Sequence, residues 1–276
     1  MAEETGISWA TSTFNPWIGC TKVSPGCDNC YAETLATTRL GAEWGPRALR
    51  RRTSPGNWAK PRAWNRKAEK TGQPWRVFCS SLADVFDNRA PEGAREDLWE
   101  LIRATPALTW MLLTKRPRNI PGMLPADWGD GWAHVWLGTS VENQVEAERR
   151  IPALLDVPAA LHFLSCEPLL APVDLYRVAE GNGWIRDALV GMRWHPGRTA
   201  DVRQGCRSEG HRRIGWVIAG GESGNCARPL EAAWALTLRD QCDAVGIPFH
   251  FKQWGGPSPK LAGHLLDGAE RLAVPA

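Results

Sequence analysis

The chain has 276 residues, 43% apolar and 23% charged, with a net charge of +3, which suits a folded soluble protein long enough for a sizeable core. No stretch approaches the roughly 18 apolar residues of a membrane span, and the acidic start Met1–Gly6 has no apolar signal region. Disorder, a membrane protein and a small disulfide scaffold are excluded, and a cytoplasmic location is expected.

Ile7 to Phe14 reads as a first strand. The motif Gly19-Cys20-Thr21-Lys22-Val23-Ser24-Pro25-Gly26-Cys27-Asp28-Asn29-Cys30-Tyr31 follows, with the spacing C-x6-C-x2-C. Five further cysteines are scattered at 79, 166, 206, 226 and 242. In a cytoplasmic chain, clustered cysteines read as metal ligands or catalytic groups. A Cys-x2-Cys pair lets two thiolates reach one centre across a tight turn. Structural zinc needs four ligands, and no fourth Cys or His lies near the motif. Three cysteines suit a four-iron cluster with one iron left open. Zinc, with Cys79, Cys166 or a histidine approaching in space, is the alternative, and plain structural or redox thiols the third.

Glu33 to Leu40 reads as a helix. Trp44 to Arg76 then holds ten Lys or Arg and one acid, Glu69, with Trp44, Trp58, Trp64 and Trp75 interleaved. That window carries +9, so the rest of the chain carries −6. Basic residues among aromatics neutralise phosphates and stack on bases. Arg50, Arg51, Arg52, Trp58 and Trp64 are the candidate nucleic-acid contacts. The competing reading is a solvated loop region whose tryptophans pack back on the core. Across the chain the basic residues are 26 Arg and 7 Lys, which suits anion recognition or merely a GC-rich genome.

From here short apolar runs each end in a polar or Gly-containing cluster: Arg76–Ser81, Thr109–Arg116, Val135–Ser140, His162–Glu167, Trp216–Glu222 and Pro248–Gln253. Runs of this kind suit parallel strands buried on both faces. Helical patterns lie between them at Glu92–Ala104, Val141–Leu155 and Glu231–Val245. The spacing is doubled between 165 and 219, so Glu180 to Arg213 reads as an insertion. It is rich in Arg193, His195, Arg198, Arg203, Cys206, Arg207, His211, Arg212 and Arg213. A basic lid is expected there, with a plain loop or a small His195–Cys206–His211 metal site as alternatives. The alternation predicts one α/β domain: a full or partial β/α (TIM-like) barrel of parallel strands carrying an N-terminal three-Cys cluster loop. A doubly wound open sheet is the alternative.

Ligands of such folds sit at the carboxyl ends of the strands. Ordinary helix caps explain Ser140 and Asp84 there. They explain Lys115, Arg116 and Lys252 poorly, because cations are unfavourable at a helix N-terminus. Lys115, Glu142, Glu167, Glu222 and Lys252 are therefore expected to converge on one cavity with the three cysteines. Lys115, Glu142, Glu167 and Lys252 are the candidate catalytic groups.

The Phe14-Asn15-Pro16 run, the three-cysteine motif and Cys30-Tyr31-Ala32-Glu33 resemble a phage-encoded three-cysteine-motif family of unknown function, itself similar to radical S-adenosylmethionine proteins. Ser80-Ser81-Leu82-Ala83-Asp84, Leu113-Thr114-Lys115-Arg116-Pro117, Ser165-Cys166-Glu167-Pro168-Leu169, Gly220-Gly221-Glu222-Ser223-Gly224 and Phe251-Lys252-Gln253-Trp254-Gly255 carry the resemblance through most of the chain. Radical enzymes mostly space their cysteines C-x3-C-x2-C; here the first gap is six, while the C-x2-C-aromatic half matches at Tyr31. The resemblance implies a [4Fe-4S] cluster on Cys20, Cys27 and Cys30 with S-adenosylmethionine on its open iron. It also implies a 5′-deoxyadenosyl radical that abstracts a substrate hydrogen, and an electron-donor protein. Tyr31, Ser80, Gly220, Gly221 and Glu222 would face the cofactor, although Gly220-Gly221 is also read as a simple tight turn. The expected function is a radical enzyme modifying or repairing nucleic acid. A zinc-stabilised nucleic-acid-binding protein without catalysis, or a radical enzyme on a small molecule, are the alternatives.

Overall fold

A computed structural model describes residues 5–196 and 211–275. Its main sheet holds seven parallel strands: β1 (Ser12–Thr13), β2 (Trp75–Cys79), β3 (Leu108–Thr114), β4 (Val135–Ser140), β5 (Leu161–Cys166), β6 (Ile214–Gly220) and β7 (Phe249–Gln253). Their spatial order is their order in the chain. A doubly wound sheet would reverse direction at a switch point; this one never does, and it curls into a half-barrel. β1 and β7 are not paired to each other, so the barrel is partial rather than full.

The sequence-predicted strands all occur, but the first shrinks from Ile7–Phe14 to two residues. Helices α1 (Tyr31–Arg39), α3 (Ala94–Arg103), α4 (Gln144–Leu155) and α5 (Ala232–Asp243) match the predicted patterns within a few residues. α2 (Pro55–Thr71) lies in the basic window, where the sequence suggests a loop region. Its boundaries have clear local causes. Ser54 accepts from the Asn57 amide, Pro55 opens the first turn, and Gly72 closes the helix at φ 65°. The internal Pro61 and the lack of an apolar stripe conceal it in the sequence. The first part of the predicted insertion pairs Ile185–Asp187 with Met192–Trp194, and Val178–Ala179 just before it completes a small antiparallel sheet. Residues Arg198, Arg203, Cys206 and Arg207 lie outside the described part.

Successive strand residues point to opposite faces of the sheet. Val77, Cys79, Trp110, Leu112, Leu164, Val217 and Ala219 join the large core between sheet and helices. Phe78, Met111, Phe163, Trp216 and Ile218 instead fill the concave side together with Trp9. Gly138 makes room for this plug, since a Cβ there would lie 2.4 Å from the Phe163 ring. The half-barrel interior is thus packed, and the cleft above is floored by Phe78 and Trp9.

Burial pushes two histidines of this framework, His162 and His250, down to about 4. His162 donates to the Val157 carbonyl at 2.8 Å, and His250 shares a 2.8 Å hydrogen bond with Ser8. Both are neutral in the folded chain, whereas the unfolded chain takes up their protons below about pH 6.5. Their cost is absent above that pH and grows as pH falls to about 4, reaching roughly 3 kcal/mol each. Thermal melts should therefore lose stability steadily from pH 6.5 to 4. His162→Gln, which keeps a donor for Val157, should lose stability less steeply over that range. An identical pH profile in this variant would contradict the assignment.

Candidate functional site

The three cysteines share the lining of one cleft at the carboxyl ends of the strands. Lys115, Arg116, Ser140, Glu167 and Lys252 line it too, as do Tyr31, Ser80 and Asp84. The strand ends and the N-terminal motif, far apart in sequence, meet there. Cys27 is buried and ends a 3-10 turn, Pro25–Cys27; Cys30 is half-buried and precedes α1.

Side chains from distant elements hold the cysteine loop in place. Ser24 donates to Glu142 Oε1 at 2.5 Å, and Arg150 Nη1 on α4 donates to Glu142 Oε2 at 2.6 Å. Gly26 lies so close that a Cβ would be 2.3 Å from Glu142 Oε1. On the other flank Asn29 donates to Glu222 Oε2 at 3.0 Å and to the Cys226 carbonyl at 2.8 Å. Arg228 Nη2 joins Glu222 Oε1 at 2.6 Å to the Pro25 carbonyl at 2.8 Å. Beneath, Arg116 Nη2 donates to the Thr21 carbonyl at 2.7 Å, and Arg50 Nη2 to Thr21 Oγ1 at 2.6 Å. The backbone of a loop this irregular needs such partners, because it has no ladder of its own.

The sequence-predicted residues therefore divide. Lys115, Glu167 and Lys252 face the cleft. Lys252 Nζ pairs with Glu167 Oε1 at 2.9 Å, and Lys115 Nζ donates to Ser140 Oγ at 3.2 Å. Glu142 and Glu222, expected there too, are not among its lining. Both are buried and turned to the cysteine loop as clamps. Burial alone would raise the Glu222 carboxyl, but the donors from Arg228 and Asn29 outweigh it and hold it below the usual range. Tyr31 lines the cleft and donates to the Ser81 carbonyl at 3.3 Å; Ser80 does so with its hydroxyl on the Ala83 carbonyl at 2.9 Å. Gly220 and Gly221 do not line it. Gly221 instead admits the Trp254 carbonyl, which a Cβ would meet at 1.9 Å.

Of the expected nucleic-acid contacts, Arg50 and Trp64 are inside the protein and cannot offer their side chains to a ligand there. Trp64 packs in the main core. Arg50 is ion-paired to buried Asp87 at 2.8 Å and supports the cysteine loop. Arg51 and Arg52 are exposed, and Arg52 lies over half-buried Trp58 at 4.3 Å while pairing with Asp97. In the insertion, His195 meets Trp184 edge-on, and Cys206 lies outside the described residues.

Among the described residues no three His, Cys, Asp or Glu side chains already stand together as a metal site. The donor chemistry nevertheless suits a cluster, with three thiols facing one cleft and a cation beside them: Arg116 Nη1 lies 3.6 Å from Cys20 Sγ. Burial, helped by Asp84, pushes the Cys20 thiol up to about 11, with Arg116 offsetting part of the rise. A metal must therefore displace that proton on binding.

Sequence reasoning missed Ser24, Asn29, Arg150 and Arg228 as partners of the site. Ser24 and Asn29 stand inside the cysteine motif, but their acceptors are 118 and 193 residues away. No local pattern links such residues. A family model described as protein of unknown function (DUF5131) matches residues 4–275. No curated protein and no solved structure matches the chain. Among the described residues, no helix is long and apolar enough to cross a membrane.

Proposed function

The chain belongs to the DUF5131 family, and we propose that it is an iron–sulfur enzyme of the radical S-adenosylmethionine type that modifies or repairs nucleic acid. One observation carries the reading: Cys20, Cys27 and Cys30 line a single cleft at the open mouth of a partial barrel. Bound there, a [4Fe-4S] cluster with S-adenosylmethionine would supply one-electron reduction and a 5′-deoxyadenosyl radical. The chain's own residues bind, orient and shield. Glu142 and Glu222 anchor the cysteine loop, Tyr31 and Ser80 form one wall, and the Trp9–Phe78 floor keeps water from entering from below. Lys115 and the Lys252–Glu167 pair offer charge and a movable proton to whatever enters.

Anaerobic purification with iron, sulfide and zinc analysis tests the reading. About four irons with matching sulfide per chain are expected. One zinc and no iron would point instead to a metal-stabilised binding protein.

The nucleic-acid half rests on the outer face of α2, where Arg62, Arg66 and Lys70 are exposed, together with Arg51 and Arg52 near its start. Three phosphate contacts contribute a salt slope of about 2–3. Replacing Arg62, Arg66 and Lys70 with Ala should flatten the salt dependence of DNA or RNA binding by that amount. No affinity at low salt for any nucleic acid would leave a small-molecule substrate.

A further inference from the structure

We infer that Lys115 is the docking point for a phosphate of the substrate, so that the cleft takes a nucleotide. The cleft lining carries four cations, and three of them are already matched. Lys22 pairs with Glu33 at 3.0 Å, Arg116 with Asp84 at 2.8 Å and Lys252 with Glu167 at 2.9 Å. The Lys115 main-chain amide donates to Asp84 Oδ2 at 3.1 Å, but its ammonium touches only the Ser140 hydroxyl, at 3.2 Å, and among the described residues no carboxylate stands within ion-pairing distance of Nζ. It is half-buried at the carboxyl end of β3. A half-buried ammonium without a counter-ion is free to form a charge-assisted hydrogen bond with an incoming anion. Ser140 supplies a second polar group beside the ammonium, which suits the several acceptor oxygens of a phosphate.

The same cleft holds a half-buried aromatic ring, Trp44. Phosphate on Lys115 and a base against Trp44 together describe a nucleotide, either free or as one unit of a strand. The assignment depends on the proposed function in one respect, that this cleft receives substrate; it requires no cluster.

Equilibrium binding of 5′-AMP, adenosine and a short single-stranded oligonucleotide to the full chain tests it, with metal content measured separately. The wild type should bind 5′-AMP roughly 10- to 100-fold more tightly than adenosine, the range of a charge-assisted hydrogen bond. Lys115→Met should erase that preference, and Lys115→Arg, which keeps the charge, should retain most of it. Trp44→Ala should weaken 5′-AMP and adenosine alike. Lys115→Met should also weaken the oligonucleotide if the ligand is one unit of a strand; oligonucleotide binding unchanged in that variant would identify a free nucleotide. Equal affinity for 5′-AMP and adenosine in the wild type would overturn the assignment. So would a phosphate preference that survives in a folded Lys115→Met variant. Because iron is read independently, phosphate selectivity without iron would refute the radical chemistry and keep the nucleotide site. Iron without selectivity would do the reverse.

Discussion

Replacing Cys20, Cys27 or Cys30 with Ala should each abolish the visible iron–sulfur absorption of anaerobically purified protein, while Cys226→Ala should leave it at the wild-type level. The contrast follows from placement. The first three line the cleft, whereas Cys226 is exposed and outside it. Cys226 contributes to the loop only through its main-chain carbonyl, which accepts from Asn29 and survives the substitution. With three protein ligands and no obvious substitute, loss of one thiolate should cost the whole cluster rather than a third of it. Absorption near the sulfur-to-iron charge-transfer region and iron per chain are the measurements. Equal loss in the Cys226 variant, or retention in any of the other three, would remove the cluster from this loop.

Arg150→Met should lower stability by about 3–5 kcal/mol, because it leaves buried carboxylates without their counter-charge. Arg150, Glu142 and Glu146 are all inside the protein, at 1%, 0% and 5% exposure. Arg150 bridges the two acids, at 2.6 Å to Glu142 and 2.9 Å to Glu146. At about 2–4 °C per kcal/mol for chains approaching this size, the melting temperature should fall by roughly 10 °C. The substitution also frees Glu142, which holds Ser24, so the surviving folded fraction should bind less metal. Gly26→Ala should disturb the same contact from the opposite side. The exposed ion pairs of Arg103 with Glu100 and Asp127 offer the control: Arg103→Ala should leave the melting temperature nearly unchanged. A similar cost for both arginine variants would show that the buried cluster is not what anchors the loop.

The legible part of the fold and site shows what sequence patterns can convey. The runs at 109–116 and 135–140 announce strands because apolar continuity ends at a polar tip, and that periodicity is a local property. The cysteine spacing likewise marks a shared site by itself. α2 was concealed because Pro55, Gly56 and Pro61 argue against helix in any window scan, whereas Pro is well tolerated in a helix's first turn and Ser54 and Gly72 cap the ends. Basic neighbours mark Trp64 and Arg50 as candidate nucleic-acid contacts, and the same window leaves open that its tryptophans pack on the core. Trp64 is nonetheless carried to the inner face of α2, and Arg50 is drawn inward by Asp87.

By itself, the sequence determined the alternation of strands and helices and the identity of the three thiols. Both depend on residues within a few positions of one another. Only the tertiary structure decided the role of each acid near a strand end. Glu142, Glu167 and Glu222 look equivalent along the chain. In space, Glu167 meets Lys252 in the cleft, while Glu142 and Glu222 turn away to hold Ser24 and Asn29. The direction of a side chain at a strand end is set by which partner it meets once the sheet curls. Ser24 and Asn29 lie more than a hundred residues from the two clamps and Lys252 lies 85 from Glu167, although each clamp also meets a nearby arginine, Arg150 or Arg228. The same holds for Lys115, whose ammonium meets Ser140 and no carboxylate, a property of the assembled cleft and of no stretch of sequence.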